Sequence, residues 1–394
     1  MRRLGIPRRT TALIGANSLS AAVQGQFQFV LPWMLLTRGH SPQAAALAAG
    51  LVYVPLLLTS VPAGMASDNA DPRKVMRWAT GITLAACSLY PLAELTGHDW
   101  FGLVLVAAVV VGTTRNFSEG ALFRAMGDTT TGAGLLRAHA VRTTVNQAAV
   151  FGSPFVGLLL FRFGGGTAVL VGVCLLLVAA LAILAVVPEL ERGTESTAAM
   201  IRNVAGGMAS LRANGRLRKI GWVNLTWNVF AGAAIGLMPA ILRVHLGMNE
   251  VRAGATFIAG AVMVVVLTLP VVRAAQHRLG AVTTFVVAIT VQGLAVILFA
   301  PGAALLGPLV YCVFLLSNSA AAASLNGARA SEVEHDHQGL LNMTLLTVGL
   351  IGFIAGVVLA AELIGPLGFG VLLTVIGLGM AATAAGFRKP LVAG

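Results

Sequence analysis

The sequence is poor in charged residues, in aromatic residues and in cysteine. Of its 394 residues only 10% are charged and 6% are aromatic, whereas 57% are hydrophobic and the mean hydropathy is +0.87. A water-soluble core cannot bury so much apolar surface, which excludes a soluble globular protein. The composition therefore predicts a polytopic membrane protein.

Other absences narrow the function. The three cysteines, Cys87, Cys174 and Cys312, lie in different apolar segments, so neither a disulfide framework nor a metal site is indicated. The sequence has no Gly-x-x-x-x-Gly-Lys-Ser/Thr motif, so ATP hydrolysis by this chain is not expected. No nucleophile, acid and base stand at a plausible spacing. We therefore expect a protein that is not an enzyme and that uses no cofactor.

The apolar runs set the fold class. A spanning helix needs ~20 residues, and on that measure the chain is an all-α integral membrane protein with twelve transmembrane helices. We number these predicted spans 1 to 12. They cover about residues 11–36, 43–66, 75–96, 101–123, 137–161, 166–187, 219–242, 252–273, 281–300, 304–327, 339–363 and 367–387.

The charge distribution predicts the orientation of these spans. The formal net charge is +12, but Lys and Arg lie between the apolar runs rather than along one face, so no nucleic-acid partner is expected. Basic residues are concentrated at the N-terminus and in alternate connections, which predicts that both termini face the cytoplasm. The first span is long and lacks a convincing cleavage site, so it is interpreted as a retained helix of a cell-membrane protein.

A polar segment, residues 64–74, interrupts the apolar sequence between spans 2 and 3 and is predicted to be a tight turn. Its Gly64, Asp68, Arg73 and Lys74 resemble the loop between helices 2 and 3 of the major facilitator superfamily, although three positions between Asp68 and Arg73 depart from that pattern. The resemblance implies a gating role for these four residues. The alternative is a solvated turn whose charges only fix the topology.

A second segment, in span 5, resembles the Gly-Pro-rich signature of efflux members of the superfamily. It contains Gly152, Pro154 and Gly157, with Ser153 between the glycine and the proline. Proline removes a backbone hydrogen bond and small neighbours allow close helix contact, so a bendable and tightly packed helix is expected. A dedicated role in blocking leak and an ordinary kinked helix are both open.

The resemblance implies two pseudo-symmetric six-helix bundles, at residues 1–187 and 219–394. The cytoplasmic linker between them, residues 188–218, offers Ser196 and Thr197 as N-cap candidates. Five apolar residues then share one helical face, which predicts an amphipathic helix on the inner membrane surface. They are Met200, Ile201, Val204, Met208 and Leu211.

Polar residues within spans are costly in hydrocarbon, so those that share a helical face are informative. Span 1 carries Asn17, Ser20, Gln24 and Gln28 at spacings of three, four and four. Span 7, the equivalent helix of the second half, carries the polar set Asn224, Trp227 and Asn228. The repeated placement predicts a shared substrate cavity. Hydrogen bonding between packed helices is the alternative.

Span 4 carries an Arg and a Glu one turn apart, Arg115 and Glu119, which can meet on one face. Superfamily exporters commonly have a basic residue in helix 4 followed closely by a glycine, which Arg115 and Gly120 resemble. Many drug and proton antiporters of the superfamily also place an acid in helix 1, which this chain lacks. Proton coupling, if present, is therefore expected at Glu119, and a permanent ion pair is the alternative.

Further cavity candidates lie in spans 5 and 10. Arg142 and Asn146 are four residues apart in span 5, and Tyr311 and Asn318 are seven apart in span 10. The loop before span 11 is rich in acidic residues and histidine but lacks regular ligand spacing, so it is interpreted as a solvated loop and no metal site is expected. Those loop residues are Glu332, Glu334, His335, Asp336 and His337.

These features together predict a secondary active transporter in the lipid bilayer. The favoured hypothesis is a proton-coupled, monomeric exporter of small amphipathic organic molecules, such as a drug or secondary metabolite, that works by alternating access. A solute importer or facilitator of the same fold is the alternative. A non-transporting membrane receptor or scaffold, which needs no paired polar stripes, is favoured less.

Overall fold

The computed structural model describes residues 6–130, 132–189, 215–330 and 338–388. Within these ranges the chain forms α-helices joined by turns, with two five-residue π-helical segments, Gln26–Val30 and Ile241–His245. The α-helices are α1 Arg8–Gly25, α2 Leu31–Thr37, α3 Pro42–Leu51, α4 Tyr53–Leu58, α5 Ser60–Asn69, α6 Pro72–Leu95, α7 Gly102–Thr129, α8 Gly132–Val186, α9 Gly215–Ala240, α10 Glu250–Phe299, α11 Gly307–Ala330 and α12 Gln338–Arg388.

The three longest helices each contain a break at glycine. The backbone leaves helical geometry at Gly164 and Gly165 in α8, at Gly280 in α10 and at Gly368 in α12. Gly165, Gly280 and Gly368 have positive φ angles, a conformation that glycine adopts without a steric penalty. The first two breaks fall between predicted spans 5 and 6 and between spans 8 and 9, and the third falls at the second residue of predicted span 12.

Five helical regions of the described residues are long and apolar enough to cross a membrane by length and composition. They are Ala138–Val186, Leu217–His245, Glu250–Phe299, Gly307–Leu325 and Thr344–Phe387. The all-helical membrane fold is therefore confirmed, whereas the count of twelve crossings remains a sequence prediction.

The region of span 2 is three short helices rather than one. Pro55 and Pro62 lack the N–H groups that would bond to Leu51 and Leu58, so the helix is interrupted just before each proline. The last of the three, α5, continues to Asn69, so most of the polar segment at residues 64–74 is helical and the turn is shorter than predicted. Residues 70 and 71 make that turn.

The chain divides into two compact units. The first contains Met1–Met34 and Leu51–Thr197, and the second contains Leu35–Gly50 and Ala198–Gly394. The second unit thus includes α3, whose Gly50 approaches Val357 of α12. The bundle boundaries at residues 187 and 219 remain a prediction.

Each unit has its own packing. In the first unit, α1 packs against α7 and α8, and α6 packs against the same two helices. An apolar cluster that includes Leu13, Met76, Leu122 and Leu184 lies among them. In the second unit, α9 packs against α12, and α10 packs against both α11 and α12.

Glycines let helix backbones touch in both units. A Cβ at Gly25 of α1 would lie 2.2 Å from the carbonyl oxygen of Val150 in α8. A Cβ at Gly356 of α12 would lie 1.8 Å from the carbonyl oxygen of Val229 in α9. Small residues at such crossings are how helices approach closely in a bilayer, where apolar burial gives little drive to associate.

Candidate functional site

In the first unit, Arg115 of α7 reaches across to the polar face of α1. Its Nη1 donates to Asn17 Oδ1 at 2.5 Å, and its Nε donates to Gln24 Oε1 at 3.2 Å. Only 5% of Arg115 is exposed and Asn17 is fully buried. A guanidinium at this depth needs hydrogen-bond acceptors, and the amides of α1 supply them.

Glu119 lies one turn from Arg115 and is shared between two guanidiniums. Its Oε2 lies 3.5 Å from Arg115 Nη2, and its Oε1 accepts a hydrogen bond from Arg142 Nη1 of α8. Glu119 is the most accessible of the three, since its side chain is 32% exposed against 13% for Arg142 and 5% for Arg115. The carboxylate therefore connects α7 to α8.

Asn146 of α8 completes the contact with α1. Its Oδ1 accepts a hydrogen bond from Ser18 Oγ at 2.9 Å and from Asn17 Nδ2 at 3.5 Å. Six side chains predicted from sequence thus meet on three helices, and Ser18 joins them. We call this set the first polar cluster: Asn17, Gln24, Arg115, Glu119, Arg142 and Asn146.

Arg142 has an aromatic neighbour in Phe123. Its guanidinium carbon lies 4.2 Å from the ring centroid of Phe123, a cation–π distance. The ring of His139 also packs against Phe123, with 5.3 Å between the two ring centroids. Arg142 Nε is buried and has no hydrogen-bond partner among the described residues.

The two remaining members of the span 1 stripe, Ser20 and Gln28, have different surroundings. Ser20 lines a cavity of about 10 Å³ together with Thr80, Thr114, Arg115 and Ser118, which is room for about one water molecule. Gln28, by contrast, lies in the π-helical segment, where it is buried and its Oε1 has no hydrogen-bond partner within the described ranges. π-Helical turns inside α-helices are frequent at functional sites.

In the second unit, a buried glutamine connects three helices. Trp227 Nε1 of α9 donates to Gln292 Oε1 of α10 at 2.9 Å, and Gln292 Nε2 donates to Asn318 Oδ1 of α11 at 2.9 Å. We call these three residues the second polar cluster. Gln292 is fully buried. Sequence reasoning missed it, although a lone amide in an apolar run is itself a signal.

The other predicted residues of the second unit have different surroundings. Asn228 Nδ2 donates to the backbone oxygen of Asn224 at 2.7 Å, and Asn224 Nδ2 donates to the carbonyl oxygen of Leu345 in α12 at 2.6 Å. Tyr311 packs edge-on against Phe257 at 5.4 Å between ring centroids and is buried. The structure therefore places Asn224 at a helix contact and Tyr311 in the packed core.

The predicted gating segment makes contacts within the first unit. Arg73 donates a hydrogen bond to the carbonyl oxygen of Val187, and Lys74 Nζ lies 3.1 Å from Glu189 Oε1. Gly64 lies within α5, whereas the side chain of Asp68 lies outside the described part of the structure. These contacts join the start of α6 to the end of α8.

The Gly-Pro segment of α8 holds that helix against α1. Pro154 cannot donate to Val150, and the Val150 carbonyl faces Gly25. Ser153 Oγ donates to the Ala22 carbonyl at 2.8 Å. Gly157 is close to the π-helical segment that follows α1, since a Cβ there would lie 1.7 Å from Gln26 Oε1. Gly152 is buried in the same helix.

Two predicted features fall outside the described residues. They are the amphipathic linker helix, which begins at Ser196, and the acidic and histidine-rich loop at residues 332–337. Among the residues that the structure describes, no group of three or more His, Cys, Asp or Glu side chains is arranged to hold a metal ion.

Solved structures with the same fold are transporters of different solutes. A point mutant of the nucleoside transporter NupG superposes with a TM-score of 0.76 at 12% identity, covering 97% of this chain and 99% of that one. The human organic anion transporter MFSD10 (TETRAN) gives 0.68 at 16% identity, covering 97% and 100%. A bacterial homologue of the iron transporter ferroportin gives 0.68 at 14% identity, covering 97% and 99%.

The sequence itself places the chain in a family. No curated protein sequence is a significant match. The model of the family described as Major Facilitator Superfamily, however, matches residues 13–356, which is most of the chain. With the all-helical fold and the transporter structures that share it, this match shows that the chain belongs to the Major Facilitator Superfamily.

Proposed function

We propose that this protein is a proton-coupled secondary transporter of small amphipathic organic molecules and that it works by alternating access. The family match and the transporter fold support transport itself. The proteins of similar fold are named for nucleosides, an organic anion and iron, so they do not select a substrate. At 12–16% identity these structures support only the fold, so the evidence for a substrate comes from the residues of the site.

The observation that carries the proposal is the position of Glu119 between Arg115 and Arg142. When Glu119 takes up a proton, it loses the charge that attracts both guanidiniums, and the link between α7 and α8 weakens. A change in packing between two helices is thereby coupled to a proton. In this proposal Asn17, Gln24 and Asn146 bind the substrate beside it, and Gln28, Asn224, Trp227, Asn228, Tyr311 and Asn318 remain further candidates.

Export is the first candidate for direction, because the Gly-Pro segment of α8 is similar to the signature of efflux members. A different observation favours the alternative, import: the first polar cluster has two guanidiniums and one carboxylate, so it carries a net positive charge. Such a charge attracts an anion, and an anion that binds together with a proton moves in the same direction as the proton. We further propose that the protein acts as a monomer in the cell membrane with both termini in the cytoplasm.

The test is transport by reconstituted vesicles, with a panel of amphipathic compounds and a proton gradient that is switched on and off. Wild-type protein is expected to move a compound in response to the gradient, and Glu119→Gln to move it without that response. The matched control is Asp128→Asn, because Asp128 also forms an ion pair one turn from an arginine, Arg124, on the same helix. Equal gradient dependence in wild type and Glu119→Gln would refute coupling through Glu119.

The same assay separates the alternatives. Inward movement of substrate under an inward proton gradient would select import over export. Absence of transport for every compound would refute the proposed function and leave a non-transporting receptor or scaffold.

A further inference from the structure

We infer that the substrate is an organic anion and that Arg142 binds its acidic group. This inference rests on the proposed function and narrows it to one class of substrate. It is argued from the charge of the first polar cluster, from the free edge of one guanidinium and from the groups around it.

The first polar cluster carries an excess of positive charge. Arg115 and Arg142 together face one carboxylate, Glu119. The groups that α1 contributes, Asn17 and Gln24, are neutral amides that accept hydrogen bonds but carry no charge. One positive charge is thus uncompensated by the cluster. A buried net charge is costly in a medium of low dielectric constant, and an anion that enters the site removes that cost.

The nearest further charged pair on α7 does not alter this balance. Arg124 Nε lies 3.4 Å from Asp128 Oδ2, one turn further along the helix, so that arginine and that acid neutralise each other. His139 of α8 is a neutral or positive group, never a negative one. The excess charge therefore belongs to the cluster itself.

Among the described residues, Arg142, rather than Arg115, is the guanidinium with an unused donor. Each of the three guanidinium nitrogens of Arg115 has an acceptor: Nη1 donates to Asn17, Nε donates to Gln24, and Nη2 pairs with Glu119. Arg142 uses Nη1 for Glu119. On the other edge of that guanidinium, Nε is buried and has no hydrogen-bond partner in the described ranges. Nε and Nη2 form the planar fork that matches the two oxygens of a carboxylate.

Phe123 covers one face of the Arg142 guanidinium at 4.2 Å and so blocks the approach of a ligand from that face, whereas the N–H groups donate in the plane of the guanidinium. In-plane binding favours a planar, bidentate oxyanion over a single neutral carbonyl oxygen. An amphipathic acid with one carboxylate or a similar oxyanion is therefore the substrate class that the geometry favours.

Protonation of Glu119 removes the only negative charge in the cluster, so it strengthens the attraction of an anion to Arg142 and Arg115. By linkage, anion and proton favour each other's binding. A carrier that binds both together moves both in one direction, which under an inward proton gradient supports the import alternative.

The experiment uses purified full-length protein in vesicles and pairs of acids with their uncharged primary amides. The probes are benzoate, phenylacetate, salicylate and hippurate, with a set of neutral and cationic amphiphiles alongside. The acids are expected to be transported at least about tenfold better than their amides, because a hydrogen bond to a charged group contributes enough binding free energy for a factor of about ten in affinity. Arg142→Gln is expected to remove that preference, Arg142→Lys to keep part of it, and the control Arg124→Gln to keep all of it.

The outcomes are distinct. The inference would be overturned, with transport left in place, if amides were transported at the same rate as their acids or if only neutral or cationic amphiphiles were transported. It would also be overturned if Arg142→Gln protein that remains monodisperse kept the full preference for acids. Absence of transport for every probe of every class would instead contradict the proposed function.

Discussion

Arg142 donates a hydrogen bond to Glu119 from a neighbouring helix, 23 positions further along the chain. Protonation of Glu119 therefore changes the charge that a ligand of Arg142 meets. It also holds α8 to α7 at a point where both helices contact α1 through polar groups.

The first prediction concerns pH. Binding of an organic acid to wild-type protein is expected to weaken as pH rises, because deprotonated Glu119 competes with the ligand for Arg142. Glu119→Gln mimics the protonated form, so its affinity for an acid is expected to be higher at neutral pH and independent of pH. Equilibrium binding of a labelled acid across pH measures this. An affinity that follows pH equally in both proteins would contradict it.

The second prediction concerns Arg115, whose removal leaves the Asn17 and Gln24 side chains without their shared donor. Arg115→Ala is expected to lower transport at least about tenfold, since hydrogen bonds to charged groups are worth about 1.5–3 kcal/mol. Asn228→Ala tests the second unit in the same assay. Unchanged transport in both variants would exclude the proposed substrate residues.

The first polar cluster shows what sequence alone can predict. The stripe on span 1 and the Arg115–Glu119 spacing are visible because helical periodicity places such residues on one face. The pairing of Asn17 with Arg115, 98 positions apart, is not visible, because it depends on how α1 packs against α7. Sequence therefore predicted the members of the cluster and the pairing of Arg115 with Glu119 on one helix, but not the contacts between helices.

Other features had no periodic pattern to reveal them. Gln292 is a single amide with no polar partner on its own helical face, and its contacts come from two other helices. The breaks in the region of span 2 were missed for another reason. An apolar run of sufficient length suggests one helix, and the effect of Pro55 and Pro62 depends on whether neighbouring helices stabilise a kink or a full interruption.

The third prediction concerns Gly25. Gly25→Ala is expected to destabilise the protein by about 1–3 kcal/mol, as overpacking of a close contact does, because its Cβ would overlap the Val150 backbone. Gly15→Ala on the same helix is the control, since nothing lies within 4 Å of that Cβ. Thermal unfolding in nanodiscs measures both. Equal melting temperatures for the two variants would contradict the close contact of α1 with α8.

The fourth prediction concerns the second polar cluster. Gln292→Leu leaves the Trp227 indole N–H and the side-chain oxygen Oδ1 of Asn318 without their partner. This loss is expected to cost about 1–3 kcal/mol of stability. Thr290→Val is the control on the same helix, because within the described part of the chain the Thr290 hydroxyl bonds only to the Val286 carbonyl of its own helix, at 2.8 Å. A melting temperature for Gln292→Leu as high as that of the control would show that this amide does not hold the helices together.

The last prediction separates gating from helix capping in the polar segment between α5 and α6. Asp71 caps α6, since its side chain accepts from the backbone N–H of Arg73 at 2.9 Å. Because Asn is as good an N-cap as Asp, Asp71→Asn is expected to keep both stability and transport. Asp68→Asn removes the charge to which the family resemblance assigns a gating role. It is expected to slow turnover several-fold while leaving substrate affinity unchanged, because it alters a conformational step rather than the binding site. Transport rates and binding constants measured on both variants test whether Asp68 acts in gating. Turnover at the wild-type rate in Asp68→Asn would leave this aspartate with a topological role alone.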